Sequence, residues 1–302
     1  MGKTLLAAVL GVALVAGCSA APTSAAPPST TTTTTTVSAT PADPGPLRDL
    51  EKQHGIRLGV YALNVDTGQT LSYRDGEPFA MMSVFKAYLV AALLHEHPLS
   101  TGFFDKRITY TEADLVMNSP VTSARVATGM TVAELSEATI TVSDNTAANL
   151  LLKELGGPAS LTAFARNIGD TKTRLDRYEP EMSAAVPGDV RDTTTPTAIG
   201  EAFKSLVLGD VLPAPEKEQL TAWLLANRTG GERIRAGVPK DWKTADKTGS
   251  GYYGSANDVA ITWTPDGTPL VIAIMTTKEV EGADYDSAPI AAAAEVAAES
   301  LT

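Results

Sequence analysis

The strands predicted near the two ends of the chain constrain its fold more than any other feature. Alternating or apolar runs predict strands at 57–64 and 70–73, and again at 243–251, 258–263 and 270–277. The stretch between these two groups shows helical patterns. Because the early strands find partners only among the late ones, we predict one antiparallel sheet of about five strands. The fold class is therefore α/β, of the α+β type, with helices flanking the sheet and an all-helical domain inserted into it.

The same division predicts the domain boundaries. We expect a discontinuous α/β domain made of residues 47–75 and 227–302, and a helical domain made of residues 76–226. Of the chain's residues, 43% are hydrophobic, which suits one or two domains with a substantial core. The formal net charge is −11 and no cluster of Lys or Arg occurs, so nucleic acid is not an expected partner. We expect a monomer.

The N-terminal segment predicts export and a lipid anchor. An apolar stretch at 5–15 is too short to span a bilayer and fits the core of a secretory signal. It ends in Val-Ala-Gly-Cys18, which resembles the lipobox of bacterial lipoproteins and contains the only cysteine. We therefore expect residues 1–17 to be a signal peptide and Cys18 to carry a lipid that anchors the chain on the outer face of the cytoplasmic membrane. An ordinary signal peptide with an incidental cysteine is the alternative.

Residues 18–46 are predicted to form a disordered tether after the anchor. They consist almost entirely of Ala, Pro, Ser and Thr, with an unbroken run of threonine at 30–36. A segment of this composition cannot bury enough apolar surface to fold. The tether would hold the folded part away from the membrane.

The stretch Ser83-Val-Phe-Lys86 lies in the first turn of a predicted apolar helix. Residues three apart share one helix face, so the serine hydroxyl and the lysine amine can meet. An apolar environment disfavours the charged form of lysine, which can then take the proton of the serine. Taken alone, this pair is more typical of a surface serine beside a snorkelling lysine.

Two further motifs follow in order along the chain. Ser143-Asp144-Asn145 precedes a predicted helix and, by itself, is typical of a helix N-cap. Lys247-Thr-Gly249 lies in a predicted strand and, by itself, indicates little. Together, S-x-x-K, S-D-N and K-T-G are the motif set of class A β-lactamases and penicillin-binding proteins. From about residue 47 onwards the chain resembles a class A serine β-lactamase, and further stretches that carry the resemblance are 119–122, 146–151, 176–181, 191–196 and 276–277.

This resemblance implies a serine β-lactamase/D,D-peptidase-like fold and the hydrolysis of penicillins and cephalosporins, conferring resistance. No metal and no cofactor are expected. The stretch at about 174–192 corresponds to the family's Ω-loop, whose first Glu activates the hydrolytic water; in this chain that residue is Glu179. Penicillin-binding proteins lack this Glu. Arg177 and Asp192 match the pair that ties the loop ends together, and a cis bond before Pro180 is expected.

The resemblance also implies a role for each motif residue. The expected catalytic residues are Ser83, Lys86, Ser143 and Glu179, and backbone N–H groups of Ser83 and Ser250 would form the oxyanion hole. Either Lys86, or Glu179 acting through a water, would activate the serine for acylation. The expected substrate-binding residues are Asn145, Lys247, Thr248, Gly249, Ser250 and Arg233.

Some positions depart from the family pattern. Many members carry an Arg where this chain has Ala256, and we expect Arg233 to supply that charge instead. Arg235 is expected to pair with Asp246. Ser183 stands where an Asn usually helps to hold the deacylating water, so water placement is the step that this chain alters.

Other functions fit the sequence less well. No further carboxylate or cysteine ligand lies near His95-Glu-His97, which disfavours a metallo-hydrolase. The motif G-x-S-x-G is absent, which disfavours a Ser-His-Asp hydrolase. The remaining alternatives are a D,D-peptidase, disfavoured by Glu179, and a lipid-anchored binding protein that keeps the fold without turnover.

Overall fold

The two ends of the chain meet in one antiparallel sheet of five strands. The computed structural model describes residues 41–302, together with Gly2, Ala16 and Gly17. In its described part the sheet has the order β2-β1-β9-β8-β7, so the early hairpin pairs with the late strands through β1 and β9. The predicted α/β fold class is confirmed. The strands are β1 (Arg57–Asn64), β2 (Thr70–Tyr73), β7 (Lys243–Ser250), β8 (Ala256–Trp263) and β9 (Pro269–Thr277).

Alternating side chains of this sheet enter two separate cores. In β1, Leu58 and Val60 face a core shared with the terminal helices, whereas Tyr61 and Leu63 face the larger core on the other side. The period-2 geometry of a strand produces this division. Because both faces are covered, β1 and β9 appear in the sequence as nearly continuous apolar runs rather than as clean alternations.

Helices supply the cover on both faces and fill the middle of the chain. The helix α2 contributes ten consecutive buried residues, from Phe85 to Leu94, so it lies inside the larger core rather than on its surface. The chain divides into two units, residues 1–37 and 38–302, and the second contains the sheet and its helices. The helices are α1 (Gly45–His54), α2 (Phe85–Glu96), α3 (Val132–Thr141), α4 (Asn145–Glu154), α5 (Pro158–Asn167), α6 (Pro196–Val207), α7 (Ala214–Leu225), α8 (Ile234–Gly237) and α9 (Ala288–Leu301).

Helices α1 and α5 carry a proline in their first turn. Helix α5 begins at Pro158, because proline is well suited to the first helical turn. Helix α1 begins at Gly45, and Ala42 already donates a backbone hydrogen bond to Thr70 of β2. The last residues assigned to the tether are thus hydrogen-bonded to the sheet or helical.

Two pairs of very short strands escape sequence prediction. They are β3 (Phe79–Ala80) with β6 (Thr193–Thr194), and β4 (Arg107–Ile108) with β5 (Met130–Thr131). A strand of two residues shows no alternation, so only the fold reveals it. The β3–β6 pair joins the segment before Ser83 to the end of the predicted Ω-loop.

The N-terminal predictions fall mostly outside the described residues. Cys18, the lipid attachment, the signal peptide apart from Gly2, Ala16 and Gly17, and the tether up to residue 40 are among them. Among the residues that the structure does describe, no helix is long and apolar enough to cross a membrane.

Candidate active site

The predicted site residues surround one cavity of about 910 Å³ beside the edge strand β7. Lys86 and Lys247 are fully buried behind its wall, so their ammonium groups reach the site from within the protein. The structure thus brings together residues from α2, α4, the Ω-loop and β7. The predicted residues that line the cavity are Ser83, Ser143, Asn145, Glu179, Ser183, Arg233, Thr248, Gly249 and Ser250.

Ser83 is held on a tight turn at the start of α2. It lies in the 3₁₀ turn Met82–Val84 rather than in α2 itself, and Met82 has a φ of +50°. A positive φ is unfavourable for methionine, and strain of this kind concentrates at functional sites. A Cβ at Gly249 would come within 3.1 Å of the Ser83 nitrogen. The end of β7 therefore passes Ser83 closely, and glycine is required there.

Lys86 contacts the serine hydroxyl directly. Its Nζ lies 2.9 Å from Ser83 Oγ and 2.6 Å from Asn145 Oδ1. Ser143 provides two more acceptors, its carbonyl at 2.8 Å and its Oγ at 3.1 Å. Complete burial lowers the pKa of Lys86, while the charge of Glu179 opposes this shift. Lowering the pKa of an amine increases its neutral fraction near pH 7, and the neutral form can accept a proton.

Glu179 contacts both the same hydroxyl and Lys86. Its Oε1 lies 3.3 Å from Ser83 Oγ and 3.6 Å from Lys86 Nζ. Its Oε2 accepts a hydrogen bond of 2.9 Å from Ser183 Oγ. The predicted cis bond between Glu179 and Pro180 is present. Ser183 therefore binds the carboxylate itself.

Asn149 of α4 fixes the backbone of Glu179. Its Nδ2 donates to the Glu179 carbonyl at 2.8 Å, and its Oδ1 accepts from the Glu179 N–H at 3.0 Å. Asn149 lies in one of the stretches that carry the family resemblance, but the resemblance implied no role for this residue. Only the fold shows that one side chain holds the Ω-loop against α4.

The ends of the Ω-loop are joined as predicted. Arg177 Nε lies 2.6 Å from Asp192 Oδ2. The other oxygen of Asp192 accepts from the N–H groups of Asp176, at 2.7 Å, and of Arg177, at 3.0 Å. Asp192 is almost fully buried, so these bonds compensate the cost of burying its charge.

Ser143 lies between the two buried lysines. Its Oγ is 3.1 Å from Lys86 Nζ and 3.1 Å from Lys247 Nζ. Burial, reinforced by the charge of Lys86, lowers the pKa of Lys247 well below its usual range. Ser143 has a φ of +57°, and Asp144 caps α4 by accepting from the Ala147 N–H at 2.9 Å. The N-cap interpretation of S-D-N and its catalytic interpretation are thus compatible.

Arg233 places its charge behind the end of β7. It donates to the Gly249 carbonyl at 2.8 Å and to Ser250 Oγ at 2.6 Å. It also donates to the Asn257 carbonyl at 2.7 Å. The pairing of Arg235 with Asp246 is confirmed by a distance of 2.6 Å. The positive charge near Ser250 makes this end of the cavity suitable for an anion.

The comparisons with known proteins agree with this geometry. Residues 46–301 match the family model described as "Beta-lactamase enzyme family". The chain belongs to the beta-lactamase enzyme family. It is 54% identical over 260 residues to Beta-lactamase AST-1 of Nocardia asteroides, covering 86% of this chain and 84% of that one. It is 49% identical to the carbapenem-hydrolyzing beta-lactamase KPC of Klebsiella oxytoca, covering 85% and 88% respectively.

Solved structures of β-lactamases have the same fold. The β-lactamase from Streptomyces albus G is 48% identical, with a TM-score of 0.83, covering 85% of this chain and 98% of that one. The class A β-lactamase of the last common ancestor of Gram-negative bacteria is 52% identical, with a TM-score of 0.81 and the same coverage. The prediction of a class A β-lactamase, a hydrolase that acts on β-lactam antibiotics, is confirmed.

This β-lactamase has cavity residues that the sequence reasoning missed. Thr229, Tyr252 and Tyr285 line the cavity, and both tyrosines are exposed. They lie in loops outside the three motifs, so no spacing rule could have pointed to them. The hydroxyl of Thr229 contacts that of Thr248, which brings it into the predicted substrate-binding region.

Proposed function

We propose that the chain opens β-lactam rings by attack of Ser83 Oγ and releases the product by hydrolysis at Glu179. The observation that carries this proposal is the position of Ser83 Oγ, 2.9 Å from the Lys86 amine and 3.3 Å from the Glu179 carboxylate. A hydroxyl within reach of two potential bases suits acyl transfer in two steps.

Acylation begins when Ser83 Oγ bonds to the lactam carbonyl carbon. Its proton passes to the neutral amine of Lys86, which makes the shorter contact of the two bases. The carbonyl oxygen gains negative charge and is stabilised by the backbone N–H groups of Ser83 and Ser250. The C–N bond of the ring then breaks, and the departing nitrogen takes a proton from Ser143. Ser143 regains its proton from Lys86, 3.1 Å away. Lys86 and Ser143 thus return to their starting protonation states, and the net change is the transfer of the Ser83 proton to the lactam nitrogen.

Deacylation uses Glu179 as the base. Glu179 removes a proton from a water that attacks the ester carbonyl, and Ser83 leaves with a proton returned through the carboxyl group. The Ser183 hydroxyl orients Glu179 Oε2, while Oε1 remains turned towards Ser83. This hydrogen bond compensates for the absence of the larger Asn amide at position 183.

Substrate binding uses the polar end of β7 and the start of α4. The lactam carboxylate binds to the hydroxyls of Thr248 and Ser250. Arg233 provides positive charge beside Ser250, and Lys247 holds this end of β7 by donating to the Thr248 carbonyl at 2.9 Å. Asn145 donates one N–H of its amide to the Met117 carbonyl, at 3.0 Å, which leaves its second N–H for the acylamido group of the substrate. Gly249 contributes through its backbone, since its lack of a Cβ lets β7 approach Ser83.

A steady-state assay with a chromogenic cephalosporin tests this function. We expect sustained colour over many turnovers per enzyme, because both acylation and deacylation groups are in place. One equivalent of product followed by a stall would instead indicate a D,D-peptidase. No product and no covalent adduct would indicate a binding protein.

We also propose that the chain is exported and works as a monomer held to the outer face of the cytoplasmic membrane by a lipid on Cys18. The support is the apolar stretch before the lipobox-like residues and the Ala-, Pro-, Ser- and Thr-rich composition of the segment that follows Cys18, which offers little apolar surface to bury. Replacing Cys18 by serine should move the protein from the membrane fraction to the soluble fraction. Continued membrane association of this variant would contradict the anchor.

A further inference from the structure

A series of hydrogen bonds leads from the buried Asp246 to the substrate-binding end of β7. Asp246 accepts from Arg235 Nε at 2.6 Å and from Asn227 Nδ2 at 2.5 Å. Asn227 Oδ1 accepts both the N–H of Thr229, at 3.1 Å, and its hydroxyl, at 2.8 Å. The Thr229 hydroxyl in turn contacts that of Thr248. Thr229 therefore connects the Arg235–Asp246 ion pair to Thr248, which lines the cavity.

The backbone around Thr229 has little freedom to move. A Cβ at Gly230 would lie 2.1 Å from Asp246 Oδ2, so the segment is pressed against the buried carboxylate. Asp246 is fully buried and Asn227 nearly so. Asn227 and Asp246 thus hold the Thr229 hydroxyl in place without any contact from a substrate.

The hydroxyls of Thr229 and Thr248 each have only one hydrogen to donate. When Thr229 donates to Asn227, Thr248 donates to Thr229, and Thr248 then offers only lone pairs to the cavity. When Thr229 instead donates to Thr248, the Thr248 hydrogen is released towards the cavity. Asn227 Oδ1 still accepts a hydrogen bond from the N–H of Thr229, so it is not left without a donor. Two hydroxyl rotations convert one arrangement into the other without breaking a covalent bond.

We infer that Thr229 is a positioning residue that donates its hydrogen to Thr248 when a carboxylate-bearing β-lactam binds. The carboxylate then receives the Thr248 hydrogen, and hydrogen bonds in such a chain polarise and strengthen one another. Thr229 does not touch the reacting atoms. The inference rests on the proposed function, because it assigns the substrate carboxylate to Thr248 and Ser250.

The test compares a penicillin with its methyl ester, which lacks the negative charge. For Thr229→Val, which keeps the shape and loses the hydroxyl, Thr248 can still donate to the carboxylate but loses the hydrogen bond that positions and polarises it. We therefore expect KM for the acid to rise roughly fivefold, the effect of one ordinary hydrogen bond, with kcat nearly unchanged. The ratio of kcat/KM for acid over ester should fall by a similar factor. Thr229→Ser, which restores the hydroxyl, should restore the ratio.

Thr221→Val is the matched control. Its hydroxyl donates to the Lys217 carbonyl within α7, away from the cavity, so the same chemical change should leave the acid-to-ester ratio unaltered. A general loss of folded enzyme would lower both activities and keep the ratio. An unchanged ratio in Thr229→Val, or a ratio in Thr229→Ser as low as in Thr229→Val, contradicts the inference. If the wild-type protein hydrolyses neither compound, the proposed function fails and this inference fails with it.

Discussion

Replacing Ser83 with alanine is expected to reduce kcat for β-lactam hydrolysis by a factor on the order of 10⁴ to 10⁶. The variant lacks the hydroxyl oxygen that lies 2.9 Å from Lys86 Nζ and 3.3 Å from Glu179 Oε1. No acyl-enzyme can form on alanine, so a burst should be absent as well as turnover. Steady-state and stopped-flow measurements with a chromogenic cephalosporin measure both quantities.

The fold of this variant should remain intact. Lys86 retains Asn145 Oδ1 and the Ser143 carbonyl as acceptors, so removing one hydroxyl leaves no buried charge without a partner. Ser205→Ala, which removes a hydroxyl bonded to the Glu201 carbonyl within α6, serves as the control and should keep wild-type kcat. Activity above about 1% of wild type in Ser83→Ala would exclude Ser83 as the nucleophile.

Replacing Glu179 with glutamine is expected to stop the reaction after acylation. General-base catalysis contributes roughly 10² to 10⁴ in rate, and deacylation should slow by about that factor. Glutamine keeps the length of the side chain, and Asn149 holds only backbone atoms of Glu179, so the Ω-loop should keep its position. The expected trace is a burst of one equivalent followed by a nearly flat steady state.

Ser183→Ala provides a graded comparison for this prediction. It removes the hydrogen bond to Glu179 Oε2 but keeps the carboxylate, so deacylation should slow by roughly tenfold rather than a thousandfold. Acylation rates should change little in either variant. Equal steady-state turnover in Glu179→Gln and wild type would contradict the assignment of the deacylating base.

The sequence predicted those parts of the site that depend on local spacing. Ser83 and Lys86 are three residues apart near a helix start, and this spacing is sufficient to make their side chains meet. The pairing of Arg177 with Asp192 followed from the resemblance. The five-stranded sheet followed from a pairing argument, because two early strands required partners from the end of the chain.

Other contacts depend on residues far apart in the chain and left no local signal. Asn149 holds Glu179 across 30 positions, and Thr229 reaches Thr248 across 19. Neither pair belongs to one motif, so only the assembled fold reveals them. The 3₁₀ turn at Ser83 was likewise hidden, since the apolar run of α2 continues through it and the strain lies in the backbone of Met82.

The proposed mechanism requires that Ser83 carries the acyl group and that Glu179 is needed to release it. Mass spectrometry of Glu179→Gln, mixed with a penicillin and quenched, tests this requirement directly. We expect the intact mass to rise by the mass of one penicillin, and the adduct to map to the proteolytic peptide that contains Ser83. Wild-type protein treated in the same way should return to its free mass once the substrate is consumed. A Glu179→Gln protein without an adduct, or with the adduct on a peptide that lacks Ser83, would contradict the mechanism.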